Sequence, residues 1–386
     1  MTKKLRVGVI FGGRSSEHEV SVRSARSVIE AIDRKKYEVV PIAINPDGKW
    51  LAPSLASSLL PEPTRKFLSQ QTLSGPTDDV AIIGDPSRSG LATLDRHETG
   101  GPVSAQSLDV VFPVLHGPYG EDGTLQGLLE MANIPFVGCG TLASACGMDK
   151  VVMKGLFLNA GLPICNYAWF LRGEWERQPA EVLRRIARQI GFPCFVKPAN
   201  LGSSVGISQA TDKRSLEQAL NLAARYDRKI IVEEGIDARE IECAVMGNDL
   251  PEASLPGEYV VREKSALFLD YTEKYDSTGN VEFVVPAPVS KAITTRIQQM
   301  AMKCFQAIDG SGLARVDFFL QRSSKKVLVN EINTMPGLTD VSGFPKMWSA
   351  SGVPFPQVLD RLIELAMERH GDRARNVTSF GDQDFI

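Results

Sequence analysis

Apolar and polar positions follow two periods along this chain. Leu5 to Phe11, Val39 to Ile44 and Asp109 to Leu115 are short, nearly continuous apolar runs, as expected of strands covered on both faces. Between the first two, Ala25, Val28, Ile29 and Ile32 keep helical spacing. Gly12-Gly13 supplies a turn, and Ser15 or Ser16 a helix N-cap. This order predicts an open parallel α/β sheet at the N-terminus. Asp109 to Leu115 runs into the loop from His116 to Gly123, then a helix from Thr124 to Ala132 and a strand from Ile134 to Gly138. Polar loops at the C-terminal ends of parallel strands are where ligands bind in such sheets, so Glu17 and His116 fall on one rim. Each also has a plainer reading: His116 as a loop histidine satisfying a backbone group, Glu17 as charge compensation at a helix N-terminus. From Pro46 to Ser107 the chain is Ser-, Pro- and Gly-rich without strong period. It reads as a surface insertion, with short strands at Trp50-Leu51 and Val80 to Ile83.

Asp149-Lys150 opens a helix ending near Ala160-Gly161. The segment FPCFVKPANLGSSVGIS, Phe192 to Ser208, reads as a strand ending in Lys197, a Gly/Ser loop and another strand. Glycines let backbone amides approach an anion, serines add donors, and Lys197 adds a point charge suited to phosphate; the alternative is an ordinary flexible hairpin. Neither GxGxxG nor GxxxxGK[ST] occurs, so Rossmann and Walker sites are not indicated. Lys229 to Glu234 and Arg239 to Met246 are strands. Phe268 to Asn280 is polar, aromatic and turn-rich, like a lid. Ser290 to Ile308 is an amphipathic helix with Ile293, Ile297, Met300, Ala301, Cys304 and Ile308 on one face. Pro354 to His370 is the last helix, and the tail from Gly371 should fray.

The stretch from Gly312 to Gly343 carries the most chemistry. Val316 to Leu320 and Val327 to Val329 form a hairpin signal around Arg322-Ser323-Ser324-Lys325. If Ser323, Ser324 and Lys325 make the turn, Asp317 faces Glu331 and Arg315 faces Asn333. Residues two apart on a strand share a face, so all four point the same way. Opposed carboxylates repel and need a cation between them. With the Asn333 amide they make an oxygen-only set that suits Mg²⁺ with phosphate as the remaining ligand. The plainer reading is an exposed hairpin with a charged outer face. Asn333-Thr334-Met335-Pro336-Gly337 adds a Pro-Gly turn whose amides could hold an oxyanion beside the carboxylates.

Composition narrows the class. The 386 residues suggest two or three domains. Hydrophobic content of 43% and charged content of 23% fit a globular chain. A net charge of -3 without a basic block argues against nucleic acid as partner. The six cysteines are scattered without CxxC pairs and read as buried thiols of a reducing compartment. The four histidines show no zinc spacing. No signal peptide is visible, and no apolar run reaches the ~20 residues of a membrane helix. These features predict a cytoplasmic protein with no membrane partner.

The ordered set FGGRSSEHEVS, LHGPYGEDGTLQG, MDK, FVKPANLGSSVG, DYTEKY, ARVDFF and NEINTMPGLT, from Phe11 to Thr339, resembles the D-alanine:D-alanine ligase family of the ATP-grasp superfamily. The resemblance implies an α/β (α+β) fold in three domains: residues 1–147 for substrate binding, 148–235 with the phosphate loop, and 236–386 with the lid and metal hairpin. It implies joining of two D-alanines through a D-alanyl phosphate, for peptidoglycan precursor synthesis. By that resemblance Lys150 and Lys197 contact ATP phosphates beneath a loop holding Ser203 and Ser204. Glu233, Glu234 and Ile236 edge the adenine, largely by backbone, and Glu240 holds the ribose. Asp317, Glu331 and Asn333 bind two Mg²⁺, replaceable by Mn²⁺. Glu17 takes the first ammonium, with His116 nearby. Arg315 and the Gly337 amide stabilise the oxyanion, Ser342 holds the second carboxylate, and Lys274 reaches the phosphate from the lid. Tyr275 and Ser203 link to Glu17 and close the lid. A monovalent cation such as K⁺ and a homodimer are further implications. Gly343 stands where the family usually has a larger apolar residue, which would loosen the second-substrate pocket. Glu273-Lys274-Tyr275 favours D-alanine over D-lactate as acceptor. The competing class is a nucleotide-binding protein without catalysis, which would need a broken site.

Overall fold

The computed structural model describes residues 3–69, 79–88, 90–94, 105–202, 205–261 and 281–377. Ser203, Ser204, Lys274, Tyr275 and the expected lid over 268–280 lie outside them.

The N-terminal part runs β1 (Leu5–Gly12), α1 (His18–Ala31), β2 (Tyr37–Ile44), β3 (Trp50–Leu51), α2 (Pro53–Ser58), α3 (Glu62–Ser69), β4 (Asp79–Ile82), β5 (Leu91–Leu94), β6 (Ala105–Gln106), β7 (Val110–Pro113), α4 (Thr124–Met131) and α5 (Thr141–Met148). Its main sheet has the order β3-β2-β1-β7, with β1 parallel to both β2 and β7. The strand expected over Ile134 to Gly138 makes only one bridge, Phe136 to Val111. Pro135 has no N–H to give a ladder, and Gly138 turns away at φ 99°. Helix α1 is capped at Glu17 rather than at a serine, with no side-chain bond to its first turn. The Ser15 hydroxyl instead donates to the His116 carbonyl at 2.9 Å and accepts from the Glu17 N–H at 3.2 Å. The 46–107 segment is more than a surface insertion. It holds α2, α3 and the small sheet β4-β5-β6, and buries Ala52, Ala56, Leu60, Leu68, Val80 and Leu91. Ala52, Ala56 and Leu60 are spaced four apart, a stripe too short to stand out among serines and prolines.

The middle of the chain contains α6 (Lys150–Asn159), β8 (Tyr167–Leu171), α7 (Arg172–Arg177), α8 (Pro179–Gln189), β9 (Cys194–Pro198), β10 (Ser208–Ala210), α9 (Lys213–Tyr226) and β11 (Lys229–Glu234). Its strands form an antiparallel sheet in the order β10-β9-β11-β8. Asp149 caps α6, accepting from the Val151 and Val152 N–H groups at 3.0 and 3.1 Å.

The last part contains β12 (Ala238–Gly247), β13 (Glu252–Ala253), β14 (Gly257–Val261), β15 (Val281–Val284), α10 (Lys291–Ala307), β16 (Gly312–Gln321), β17 (Val327–Asn333), α11 (Gly343–Ala350) and α12 (Phe355–Arg373). The sheet order is β15-β14-β12-β16-β17, with β13 on β12. Helix α12 continues through Gly371 to Arg373, past the point where fraying was expected. Its Leu359, Leu362 and Ala366 share one apolar cluster with Val7, Phe11 and Phe112 of the N-terminal sheet, and with Leu313, Met335 and Trp348. The two ends of the chain thus close a common core. Arg369 reinforces the closure, donating to the Phe136 carbonyl at 2.9 Å and the Ser311 hydroxyl at 2.5 Å. All six cysteines are free thiols. Among the described residues no helix is long and apolar enough to cross a membrane.

Candidate active site

Three adjacent strands, β12, β16 and β17, lay a row of carboxylates across one sheet face. Glu242 pairs with Asp317, and Asp317 with Glu331. One step along, Arg315 pairs with Asn333. The pairing is the one the sequence implies, but it is reached differently. On the turn side Leu320 faces Val327 and Phe318 faces Val329, which leaves a loop of 322–325 between Gln321 and Lys326 rather than a turn of Ser323 to Lys325. That would misplace Glu331 by one residue. A bulge between Asp317 and Phe318 absorbs Asn330 and restores the register. A bulge inserts one residue on one strand and re-aims the side chains beyond it, and here it brings Glu331 opposite Asp317.

Cations interleave with these carboxylates. Arg315 holds Asp317 with two bonds of 2.7 and 2.8 Å and lies 3.3 Å from Glu242 Oε1. Lys150 Nζ is 3.5 Å from Glu331 Oε2 and donates to the Leu201 carbonyl at 2.8 Å. Lys197 Nζ donates to Glu233 Oε2 at 2.8 Å, and Lys154 Nζ lies 3.0 Å from Glu233 Oε1. Burial alone would raise both glutamates. Lys154 and Lys197 instead hold Glu233 down at about 2, and Lys150, Lys197 and Arg315 do the same for Glu331. The donor set suits a hard divalent ion: two carboxylates and the Asn333 amide, which accepts one bond from the Met335 N–H at 2.9 Å and keeps a second lone pair. Among the described residues no group of three or more His, Cys, Asp or Glu could hold an ion. Any metal here would complete its shell with ligand oxygens.

The opposite rim comes from β1, α1 and the 116–123 loop. A side chain on Gly117, at φ +74°, would begin 2.7 Å from Glu17 Oε2, and one on Gly202 3.5 Å from it and 3.8 Å from Glu121 Oε1. These glycines bring the phosphate-loop edge and two carboxylates together. Glu121 is a site residue that sequence reading passed over, although it lies in the glycine-rich motif. Its Oε1 accepts from the Gly117 N–H at 3.0 Å, its Oε2 is buried without a hydrogen-bond partner, and burial and Glu17 push its carboxyl well above the usual range. His116 is buried and committed on both ring nitrogens. Nδ1 meets the Met335 carbonyl at 3.0 Å and must donate, so Nε2 accepts from Ser24 Oγ at 3.3 Å. Burial holds its pKa down against the pull of Glu17. The backbone-satisfying role is therefore the one seen, within the field of Glu17 and Arg315.

At the far end a side chain on Gly337 would begin 2.8 Å from Ser342 Oγ. The Ser342 hydroxyl is 2.6 Å from Thr339 Oγ1 and accepts from the Thr339 N–H at 3.2 Å. Gly343 does not leave the pocket loose. A Cβ there would lie 2.7 Å from Glu242 Oε2 and 3.0 Å from Phe283 Cζ, so these side chains already fill the room.

On the nucleotide side, the Glu233 carboxylate is spent on two lysines, which leaves its backbone for a ligand edge. Glu234 is pinned through both oxygens to Asn166, at 2.8 and 2.9 Å. Ile236 lies in the turn between β11 and β12. Glu240 pairs with Phe319 on the face that carries Glu242 and Asp317. Half-buried Phe319, between Glu240 and Leu328 on that face, is a floor on which a base could stack, and is legible only once the register is known. A cavity of about 960 Å³ lies elsewhere, between α4, α5 and α12. There Arg361, Arg369 and Arg373 bond to acids or carbonyls of the protein itself.

Comparison with known proteins identifies the family. Residues 6–139 match the family model described as D-ala D-ala ligase N-terminus, and 156–364 that described as D-ala D-ala ligase C-terminus. A D-alanine--D-alanine ligase of Heliobacterium modesticaldum is 48% identical over 375 residues, 97% of this chain and 98% of that protein. One of Geobacillus thermodenitrificans is 48% identical over 371 residues, 96% of this chain and 97% of that protein. Among solved structures, the D-alanine-D-alanine ligase from Coxiella burnetii superposes with a TM-score of 0.79 at 36% identity, over 97% of both chains. VanG D-Ala:D-Ser ligase from Enterococcus faecalis gives 0.79 at 35% identity, over 94% of this chain and 100% of that one. With most of both halves matched and close relatives aligned along nearly the whole length, the chain belongs to the D-alanine–D-alanine ligase family, ATP-dependent ligases of the ATP-grasp fold.

Proposed function

We propose that this chain joins two D-alanines into D-alanyl-D-alanine, for peptidoglycan precursor synthesis in the cytoplasm. A carboxylate oxygen of the first D-alanine attacks the γ-phosphorus of ATP, giving D-alanyl phosphate and ADP. The amine of the second D-alanine, having lost one proton, attacks the acyl carbon, and phosphate leaves with its bonding pair. The observation that carries this reading is the register-locked set of Arg315, Asp317, Glu331 and Asn333 facing Lys150 and Lys197. Phosphoryl transfer to a carboxylate brings anions together, and a site lined with fixed cations lowers that barrier.

Asp317, Glu331 and Asn333 would hold two Mg²⁺, or Mn²⁺ in their place, which neutralise charge on the phosphates; K⁺ is a candidate auxiliary ion. Lys150 and Lys197 orient the phosphates beneath the loop holding Ser203 and Ser204, with Lys274 reaching in from the lid. Glu233, Glu234 and Ile236 edge the adenine, Glu240 the ribose, and Phe319 floors the base. Glu17 and Glu121 hold the first ammonium, with His116 fixing the loop between them. Arg315 and the Gly337 amide meet the oxyanion, Ser342 the second carboxylate, and Tyr275 with Ser203 closes the lid on Glu17. The units 1–147, 148–235 and 236–386 serve as substrate, phosphate-loop and metal-hairpin domains of a homodimer.

The test is phosphate release from ATP and Mg²⁺ with D-alanine, D-serine, D-lactate and L-alanine, with the products identified by mass. Phosphate matched one-to-one by D-alanyl-D-alanine is the expected result. Preference for D-serine would move the reading toward the chemistry named for the Enterococcus relative. No phosphate with any acceptor would overturn it in favour of a nucleotide-binding module.

A further inference from the structure

Lysine is rarely fully buried, and Lys154 has 0% of its surface exposed. It lies one turn after Lys150 on α6, so the two ammonium groups share a helix face. They grip consecutive residues of β17: Lys150 lies against Glu331, and Lys154 donates to the Asn330 carbonyl at 3.1 Å. Asn330 is the bulge residue that sets the pairing of Glu331 with Asp317. A bulge disrupts its ladder, which leaves the half-buried Asn330 without a strand partner for its carbonyl, and Lys154 supplies a donor. The same ammonium lies 3.0 Å from Glu233, whose other oxygen receives Lys197. Its remaining contact is Cys165 Sγ at 3.6 Å. One buried charge therefore ties together α6, the end of β11 and the bend of β17.

We propose that Lys154 is a positioning residue for the nucleotide: through Glu233 it aims Lys197, and through the Asn330 carbonyl it aims the carboxylate pair. An apolar side chain of similar length would fill the space without burying a charge. What it would lose is the simultaneous hold on the phosphate lysine and the hairpin. The inference rests on the ATP-site reading given above.

The experiment compares steady-state kinetics of the full-length wild type, Lys154→Met, the double variant Lys154→Met with Glu233→Gln, and Lys197→Ala. Lys154→Met should raise the KM for ATP by about ten-fold, equivalent to about 1.4 kcal/mol, and raise the Mg²⁺ needed for half-maximal rate. The KM for D-alanine should stay within about two-fold, since only nucleotide binding is displaced. A folded Lys154→Met with the wild-type ATP KM, or with both KM values raised alike, would overturn the proposal. If that variant does not fold, the double variant decides, because it removes one cation and one anion together and leaves Lys197 in the field of Glu331. It should keep the raised ATP KM, and a wild-type value there would refute the role. Unchanged ATP KM in Lys197→Ala would overturn the ATP-site reading and the inference together; a raised value there beside a normal Lys154→Met would overturn the inference alone.

Discussion

Glu331 and Glu233 are both held near the acid end of the scale, for different uses. Glu331 faces Asp317 across the hairpin, so Glu331→Gln should abolish phosphate release; because Lys150, Lys197 and Arg315 hold this carboxyl down at about 2, it should also lower the melting temperature, while the circular dichroism spectrum stays that of the folded chain. A retained rate would count against the metal assignment. Arg315→Ala should lower kcat by roughly 10²-fold, as loss of an oxyanion donor does, and a change confined to KM would mark a binding role instead. Glu233 works on folding as well. Its carboxyl titrates at about 2 against 4.5 when free. Between those values the unfolded chain binds protons that the folded chain does not, so this stability is complete above pH 4.5 and is lost as pH falls toward 2. The shift corresponds to on the order of 3 kcal/mol. Urea titrations at pH 7 and pH 3 should show the loss, and Glu233→Gln should diminish it. At this scale the sequence displayed residues that alternate on strands, such as Arg315, Asp317, Glu331 and Asn333. It hid Lys154, Glu121 and Glu242, whose meaning depends on contacts between distant segments.

The hairpin of β16 and β17 shows how an element can be read correctly by an argument that is off by one. Counting back from a three-residue turn and counting through a four-residue loop plus a bulge lead to the same facing pair. The bulge had no signature in VLVNEIN, because Asn330 looks like any polar strand residue. Deleting Asn330 should therefore leave Glu331 opposite Asp317 by count, yet remove the bend and the carbonyl that Lys154 holds. Turnover should fall by more than about ten-fold, the scale of a lost positioning contact, whereas inserting one glycine after Ser323 should be tolerated. Phosphate-release assays on the two variants check this, and equal activities would separate the bulge from catalysis. The strands β1, β2, β11 and β12 were legible because buried strands carry dense apolar runs. In the 46–107 segment the strands at Trp50-Leu51 and Val80 to Ile83 were legible, seen as Trp50–Leu51 and Asp79–Ile82, whereas its short helices, diluted by serine and proline, were not.

Over the whole molecule, the shared core makes the two ends of the chain interdependent. Leu362 is fully buried between them, so Leu362→Ala should cost about 2–5 kcal/mol. It should lower stability in one cooperative transition, read by denaturant melts followed at tryptophan and by far-ultraviolet circular dichroism. Two separated transitions would mean that the ends fold independently. Sequence order showed the α/β start and the antiparallel end, but not that α12 returns to close the first sheet, because an apolar helix face does not name its partner. The interleaved charges have a further consequence. Lys150, Lys154, Lys197 and Arg315 are matched by Glu233, Glu242, Asp317 and Glu331, so this part of the site carries no net charge of its own. A polyanion arriving alone finds its lysines already engaged, whereas a nucleotide arriving with its counter-ions exchanges one neutral set for another. For inhibitor discovery, charge-balanced chelates and zwitterions should therefore bind this cleft better than bare phosphate mimics of the same size.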